Sequence, residues 1–188
     1  MKRMILASGS PRRKELLQML EIPFEVLVSD TKEVITKNEP AEVTKELSYQ
    51  KAMAVAGQVE EGIIIGADTV VSIDGKILGK PADTEEAREM IYKLQGKSHM
   101  VYTGVTVIAK SGDMVSASSF AEGTKVNVAP MTENEIEAYI STDEPYDKAG
   151  AYGIQGLFGK FIEGIKGDYF NVVGLPIHRL YEELKKFD

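Results

Sequence analysis

The chain has 188 residues, a net charge of −7, no cysteine and two histidines, His99 and His178. That length suits one domain, read here as residues 1–188, with room for a substantial core. The missing thiols exclude disulfides, cysteine nucleophiles and thiolate metal sites. Two histidines leave any metal to carboxylates and phosphates, which suits magnesium or manganese. An acidic chain lacks the broad basic surface that long nucleic acids require, yet a few focused cations can still hold a small anion. No apolar run approaches the roughly 18–20 residues of a membrane span. Met4–Ala7 is shorter than the roughly 7–15 apolar residues of a signal peptide, so a cytoplasmic protein is expected.

The pattern along the chain mixes strand and helix without repeats or low-complexity linkers. Met4–Ala7 reads as a short buried strand broken by Ser8-Gly9-Ser10-Pro11. Ser10 suits an N-cap and Pro11 a first helical position. The helix behind them runs to about Leu20, with Leu16, Leu17 and Leu20 on one face. A strand near Phe24–Val28 and a polar loop over Asp30–Asn38 follow. Pro40 opens a helix to about Ala56, ended by Gly57. Gly62–Ile73 reads as a long strand, and Asp74-Gly75 as a hairpin turn into Lys76–Leu78. Asp83 and Glu86 have capping-box spacing before a helix whose stripe is Ala87, Met90, Ile91 and Leu94, stopped by Gly96. His99–Ala109 and Met114–Val128 read as strands joined by Ser111-Gly112-Asp113. Thr132 and Glu135 cap a helix through Ile140, and Thr142–Gly156 reads as a polar, glycine-containing loop. Strands are expected near Phe158–Glu163 and Tyr169–Val173. Pro176 opens a last helix with Ile177, Leu180, Tyr181 and Leu184 inward. The class is α/β, an elongated mixed sheet with flanking helices.

Several residues sit against these patterns. Arg12 and Arg13 occupy the first turn of a helix, where the macrodipole disfavours positive charge. There, free N–H groups and two guanidinium groups could converge on an anion such as a triphosphate. The alternative is two solvated surface arginines. Asp68 interrupts the apolar run Ile63-Ile64-Ile65-Gly66-Ala67-Asp68-Thr69-Val70-Val71. Burying a carboxylate there is costly unless it is paired, hydrogen-bonded or metal-bound; otherwise Asp68-Thr69 lies in a turn at a strand end. Lys51 falls at the edge of the Val43, Leu47, Ala54 face, where local features favour simple snorkelling. Gly75 to Pro81 is not a P-loop, being one residue short between its glycines and carrying proline in place of Ser/Thr. Asp143 to Gly156 mixes charges, an amide and glycines, which allows close backbone approach to a ligand or makes an exposed connector. His99 and His178 read as structural, and Glu33 carries no signal alone.

Together these segments resemble the Maf family of nucleoside triphosphate pyrophosphatases over essentially the whole chain. The carriers are Ala7-Ser8-Gly9-Ser10-Pro11-Arg12-Arg13, Gly66-Ala67-Asp68-Thr69-Val70-Val71, Leu78-Gly79-Lys80-Pro81, the run from Glu144 to Gly156, and Val173-Gly174-Leu175-Pro176. The resemblance implies an inosine-triphosphate-pyrophosphatase-like fold with two lobes around a cleft. It implies hydrolysis of a nucleoside triphosphate to monophosphate and pyrophosphate with a divalent cation, Mg2+ or Mn2+. Asp68 matches the catalytic base. Arg12, Thr69 and Gln155 match positions that set base preference, in the combination of the branch acting on dTTP and UTP rather than on methylated GTP. Lys51, Lys80 and Asp147 become cleft residues, joined by Ser8, Arg13 and Lys148. Glu33 becomes the metal partner of Asp68. Tyr49-Gln50 departs from the charged residues expected before Lys51. The alternatives are the same reaction on modified or methylated nucleotides, or a nucleotide-sensing role in inhibiting septum formation through a protein partner. Clearing noncanonical nucleotides and trimming pools would use the same site. A homodimer is the expected oligomer, as the commonest one.

Overall fold

Apolar segments that alternate with amphipathic helices along the chain become the strands of a mixed sheet. The computed structural model describes residues 3–28, 30 and 32–187. In chain order the elements are β1 (Met4–Leu6), α1 (Pro11–Gln18), β2 (Phe24–Val26), α2 (Pro40–Ala56), β3 (Glu61–Ile73), β4 (Lys76–Leu78), α3 (Thr84–Leu94), β5 (Ser98–Ser111), β6 (Met114–Val128), α4 (Glu133–Ile140), β7 (Ile162–Lys166), α5 (Tyr169–Val173) and α6 (Ile177–Leu184). Short 3-10 turns cover Glu144–Asp147, Ala149–Ala151, Leu157–Phe161 and Lys185–Phe187.

The chain divides into two compact units. The first comprises Met1–Asp68, Thr103–Glu122 and Gly174–Asp188; the second comprises Thr69–Tyr102 and Gly123–Val173. Strands β3, β5 and β6 each contribute residues to both.

In the first unit the strand order is β2-β1-β3-β5-β6. β1 lies parallel to both neighbours, with Ile5 opposite Glu25 on β2 and Ile64 on β3. Ile5, Leu6, Ile64 and Ile65 are all fully buried. This is the continuous apolar reading of a parallel strand covered on both faces. α2 packs Ala52, Val55 and Ala56 against Ile5, Ile64 and Ile108.

In the second unit β4 pairs antiparallel with β3, and β7 pairs antiparallel with β6. The β3–β4 turn places Asp74 at φ 49° and Gly75 at φ 74°, the positive pair that a two-residue hairpin needs. The Asp83 carboxylate accepts from Glu86 N at 2.8 Å to start α3. Thr132 and Glu135 make the reciprocal capping box of α4. The core gathers the apolar stripe of α3, Ile136, Tyr139 and Ile140 of α4, and an aromatic cluster around the fully buried Phe158. Tyr152 lies 4.8 Å and Tyr139 5.1 Å from the Phe158 ring, centroid to centroid.

Four expectations need correction. The strand expected over Phe158–Glu163 is instead a 3-10 turn through Phe161, with β7 starting at Ile162. The strand expected over Tyr169–Val173 is the helix α5; Asp168 opens it by accepting from Phe170 N at 2.8 Å. Tyr181 faces solvent rather than the core, and Lys185 Nζ covers its ring at 4.3 Å. Ser10 stands at the N-cap of α1, but its hydroxyl makes no capping bond; its N–H donates to Ser8 Oγ at 3.3 Å instead.

Candidate active site

In the first unit, the break after β1 puts Ser8 in a buried position and turns the chain into α1 through Pro11. Arg13 points back to this turn. Its Nε donates to the Gly174 carbonyl at 2.9 Å and one terminal nitrogen donates to Ser8 Oγ at 3.2 Å. Burial pulls the Arg13 pKa down, Asp68 and Glu33 pull it up, and Arg12 pulls it down. Arg13 stays charged, because no protein environment deprotonates arginine at neutral pH. Those influences place Arg12, Asp68 and Glu33 in one electrostatic neighbourhood around it. The guanidinium that the sequence offers to an anion is therefore partly engaged in tying the Ser8 turn to Gly174. That link explains why the first and last carrier segments of the sequence belong together.

Asp68 lies inside β3, not in a turn at its end, and its side chain is only 13% exposed. Its partner is Lys51 on α2. The Lys51 ammonium bonds Asp68 Oδ1 and also reaches Glu33 Oε1 at 3.0 Å. The local reading of Lys51 as a snorkelling side chain is thus overturned: it bridges two carboxylates. Helix α2 can come this close because Gly66 and Gly104 offer no side chain. A Cβ on Gly66 would stand 2.3 Å from the Ser48 carbonyl oxygen, and one on Gly104 would stand 2.3 Å from that of Thr44.

A cation can lie between Asp68 and Glu33, as the Lys51 ammonium does. Both are hard oxygen donors, the type magnesium and manganese prefer. Among the described residues no group of three or more metal-binding side chains exists. The residues therefore fit a metal that completes its shell with water and substrate phosphates, not a resident ion in a closed protein cage.

The second unit holds the remaining sequence-derived positions. Thr69 follows Asp68 on β3, half-buried. Lys80 is exposed between Gly79 and the buried Pro81. The Gly79 carbonyl accepts from Gly150 N at 2.9 Å, so the Lys80 segment and the Ala149–Ala151 turn are tied together. In that turn Gly150 sits at φ 68° and Ala151 at φ 61°. Left-handed backbone at an alanine is strained, and strain of this kind gathers at functional loops. A Cβ at residue 150 would also meet Val71 at 2.8 Å, so only glycine fits there. Lys148 Nζ donates to Asp147 at 2.6 Å and to the Glu144 carbonyl at 2.7 Å. Gln155 is exposed.

Three residues outside the sequence-derived set organise the segments that carry it, Glu144 in the second unit and Gln50 and Glu46 in the first. The Glu144 carboxylate accepts from Leu157 N at 2.7 Å, Phe158 N at 3.3 Å and the Tyr139 hydroxyl at 3.2 Å, closing the loop that carries Asp147, Lys148 and Gln155. Its place at the head of the Glu144-to-Gly156 run is the only signal the sequence gives. Gln50 and Glu46 of α2 bond the segment that follows Glu33. His99 is buried, with Nε2 2.6 Å from the Tyr152 hydroxyl, and burial lowers its pKa to about 4. It is a core residue, as its sequence position suggests.

A family model described as "Maf-like protein" matches residues 3–187. The chain is 53% identical to a dTTP/UTP pyrophosphatase of Bacillus cytotoxicus and 50% identical to one of Bacillus cereus; each alignment covers 100% of this chain and 97% of the relative. Among solved structures it resembles the Ham1 protein of Staphylococcus aureus, with a TM-score of 0.55 at 14% identity over 100% of both chains. That likeness shows a shared mixed α/β fold.

Proposed function

Because this chain belongs to the Maf-like protein family, we propose that it hydrolyses dTTP and UTP to the monophosphate and pyrophosphate. The observation that carries the reading is the Asp68–Lys51–Glu33 cluster, two carboxylates and one ammonium beside Arg12 and Arg13. Relatives at half identity over the full chain, named for this activity, support the choice of substrate.

Asp68 orients a water molecule and takes its proton as the oxygen attacks the α-phosphorus. The bond from the α-phosphorus to its bridging oxygen breaks, and pyrophosphate leaves with the electron pair. Little covalent assistance is needed, because phosphoryl transfer depends chiefly on positioning and charge neutralisation. Arg12, Lys51 and Lys80 neutralise phosphate oxygens, and Arg13 does so while anchored to Ser8 and Gly174. Asp68 and Glu33 would hold Mg2+ or Mn2+, which supplies Lewis acidity at a phosphate oxygen and acidifies bound water. Thr69 and Gln155 set base preference, the Gln155 amide being able to donate and accept along a uracil or thymine edge. Asp147 and Lys148 fix the loop on which Gln155 rides. The site of action is the cytoplasm; no described helix is long and apolar enough to cross a membrane.

The test is pyrophosphate release from a panel of nucleoside triphosphates with Mg2+ or Mn2+, run beside Asp68→Asn. Preferential turnover of dTTP and UTP, lost in the variant, is expected. Turnover of methylated GTP in their place would overturn the substrate assignment. Folded protein that hydrolyses no nucleotide with either metal would overturn the enzymatic reading.

A further inference from the structure

The segment Glu33–Lys37 is neither helix nor strand, and every residue in it is exposed. Without support it would sample many conformations, and ordering it would cost backbone entropy. Support comes from one side of α2. The Gln50 amide pairs with both main-chain groups of Val34: Oε1 accepts from Val34 N at 2.9 Å and Nε2 donates to Val34 O at 2.6 Å. One turn earlier, the Glu46 carboxylate accepts from Thr36 N at 2.8 Å and also from the Thr36 hydroxyl. Val34 follows Glu33 directly, and Lys51 follows Gln50. The amide pair therefore sits one residue away, on each chain segment, from the Lys51–Glu33 contact.

We infer that Gln50 is a positioning residue: by pairing with Val34 it holds the Glu33 carboxylate within reach of the cation position it shares with Asp68. The inference rests on the proposed role of Glu33 and Asp68 in holding the metal. A primary amide can serve both Val34 groups, since it donates from one atom and accepts at the other, which a carboxylate or an ammonium cannot do. This accounts for an uncharged residue where the family pattern suggests a charged one. A glutamate at position 50 would keep the bond to Val34 N and set a negative charge against Val34 O.

The experiment measures Mn2+ affinity by electron paramagnetic resonance in the presence of non-hydrolysable α,β-imido-UTP. It compares the unmodified protein with Glu33→Gln, Gln50→Ala and Gln50→Glu, and follows binding of the same analogue without metal. Both Gln50 variants are expected to weaken Mn2+ binding roughly 10-fold, as loss of a ligand-orienting group commonly does. Metal-free analogue binding should hold, and Glu33→Gln should weaken Mn2+ at least as much. Weaker Mn2+ binding in Glu33→Gln with both Gln50 variants unchanged would overturn the inference and leave the metal reading standing. Unchanged Mn2+ binding in all three would overturn the role of Glu33 and the inference with it. A parallel fall in metal-free binding and melting temperature in the Gln50 variants would mark a general structural role and overturn positioning.

Discussion

Gly66 on β3 lies directly against Ser48 on α2: a Cβ on the glycine would stand 2.3 Å from the Ser48 carbonyl oxygen and 2.9 Å from both Ala52 N and Ala52 Cβ. Three of those atoms cannot swing away, since two are main chain and one is a Cβ. The missing side chain is what lets Lys51 reach Asp68, two residues along the strand. Gly66→Ala should force the helix off the sheet and cost roughly 1–3 kcal/mol, the range for overpacking a dense interior. Gly164→Ala is the control, because a Cβ there meets nothing within 4 Å. Urea unfolding should show a lower midpoint for the first and little change for the second. Equal midpoints would refute the close-approach argument.

Lys51 pairs with both Asp68 and Glu33 and so bridges the two carboxylates. Lys51→Met leaves two carboxylates facing a position with no protein cation from that helix. Free Mn2+ should then bind more tightly, because the ammonium no longer competes. The KM for UTP should rise roughly 10-fold, the cost of about 1.4 kcal/mol in binding a phosphate. Mn2+ titration and steady-state kinetics on one preparation check both signs. Tighter metal with an unchanged KM would remove Lys51 from phosphate binding.

Much of this arrangement is legible in the sequence because it rests on local rules. The bounds of α2 follow from Pro40 and Gly57, and the hairpin from Asp74-Gly75. The α3 and α4 starts follow from cap spacing. Asp68 stands out as a charge in an apolar run. What stays hidden depends on partners far along the chain. Leu157–Phe161 fails to extend as a strand because Glu144, 13 residues earlier, takes Leu157 N. Tyr169–Val173 is a five-residue, mostly apolar segment, too short to reveal its period, and Asp168 turns it into helix. The bridging role of Lys51 requires Gly66 to be matched with Ser48, a pairing no spacing rule supplies.

His99 gives the second unit a pH response. Its pKa falls from 6.5 to about 4 on burial, so the unfolded chain takes up a proton that the folded chain refuses. The stability this histidine contributes is full above pH 6.5 and is lost as pH falls toward 4. The whole window is worth on the order of 3 kcal/mol, at about 1.4 kcal/mol per pKa unit. Urea midpoints of the unmodified protein and His99→Gln, measured at pH 7 and pH 4.5, should converge at the lower pH. A gap that stays constant would show that His99 does not titrate differently on folding.

Glu144 and Gly156 should be coupled in the same way that Gly66 and Ser48 are, with a charged partner in place of a main-chain one. A Cβ on Gly156 would lie 2.3 Å from Glu144 Oε2, so Gly156→Ala must push the carboxylate off Leu157 N and Phe158 N. Leaving those donors unpaired costs roughly 1–3 kcal/mol, and Glu144→Ala should cost a similar amount by removing the acceptor outright. The two losses share a cause, so the double variant should fall well short of their sum, with an interaction energy of about 1 kcal/mol or more. If Gln155 reads the base, the single variants should also narrow discrimination of UTP from GTP, because the loop that carries Gln155 is no longer closed. Additive stability losses in the double-mutant cycle would show that the carboxylate and the glycine act independently. Unchanged discrimination in a destabilised Glu144→Ala would instead confine the clamp to stability and separate it from Gln155.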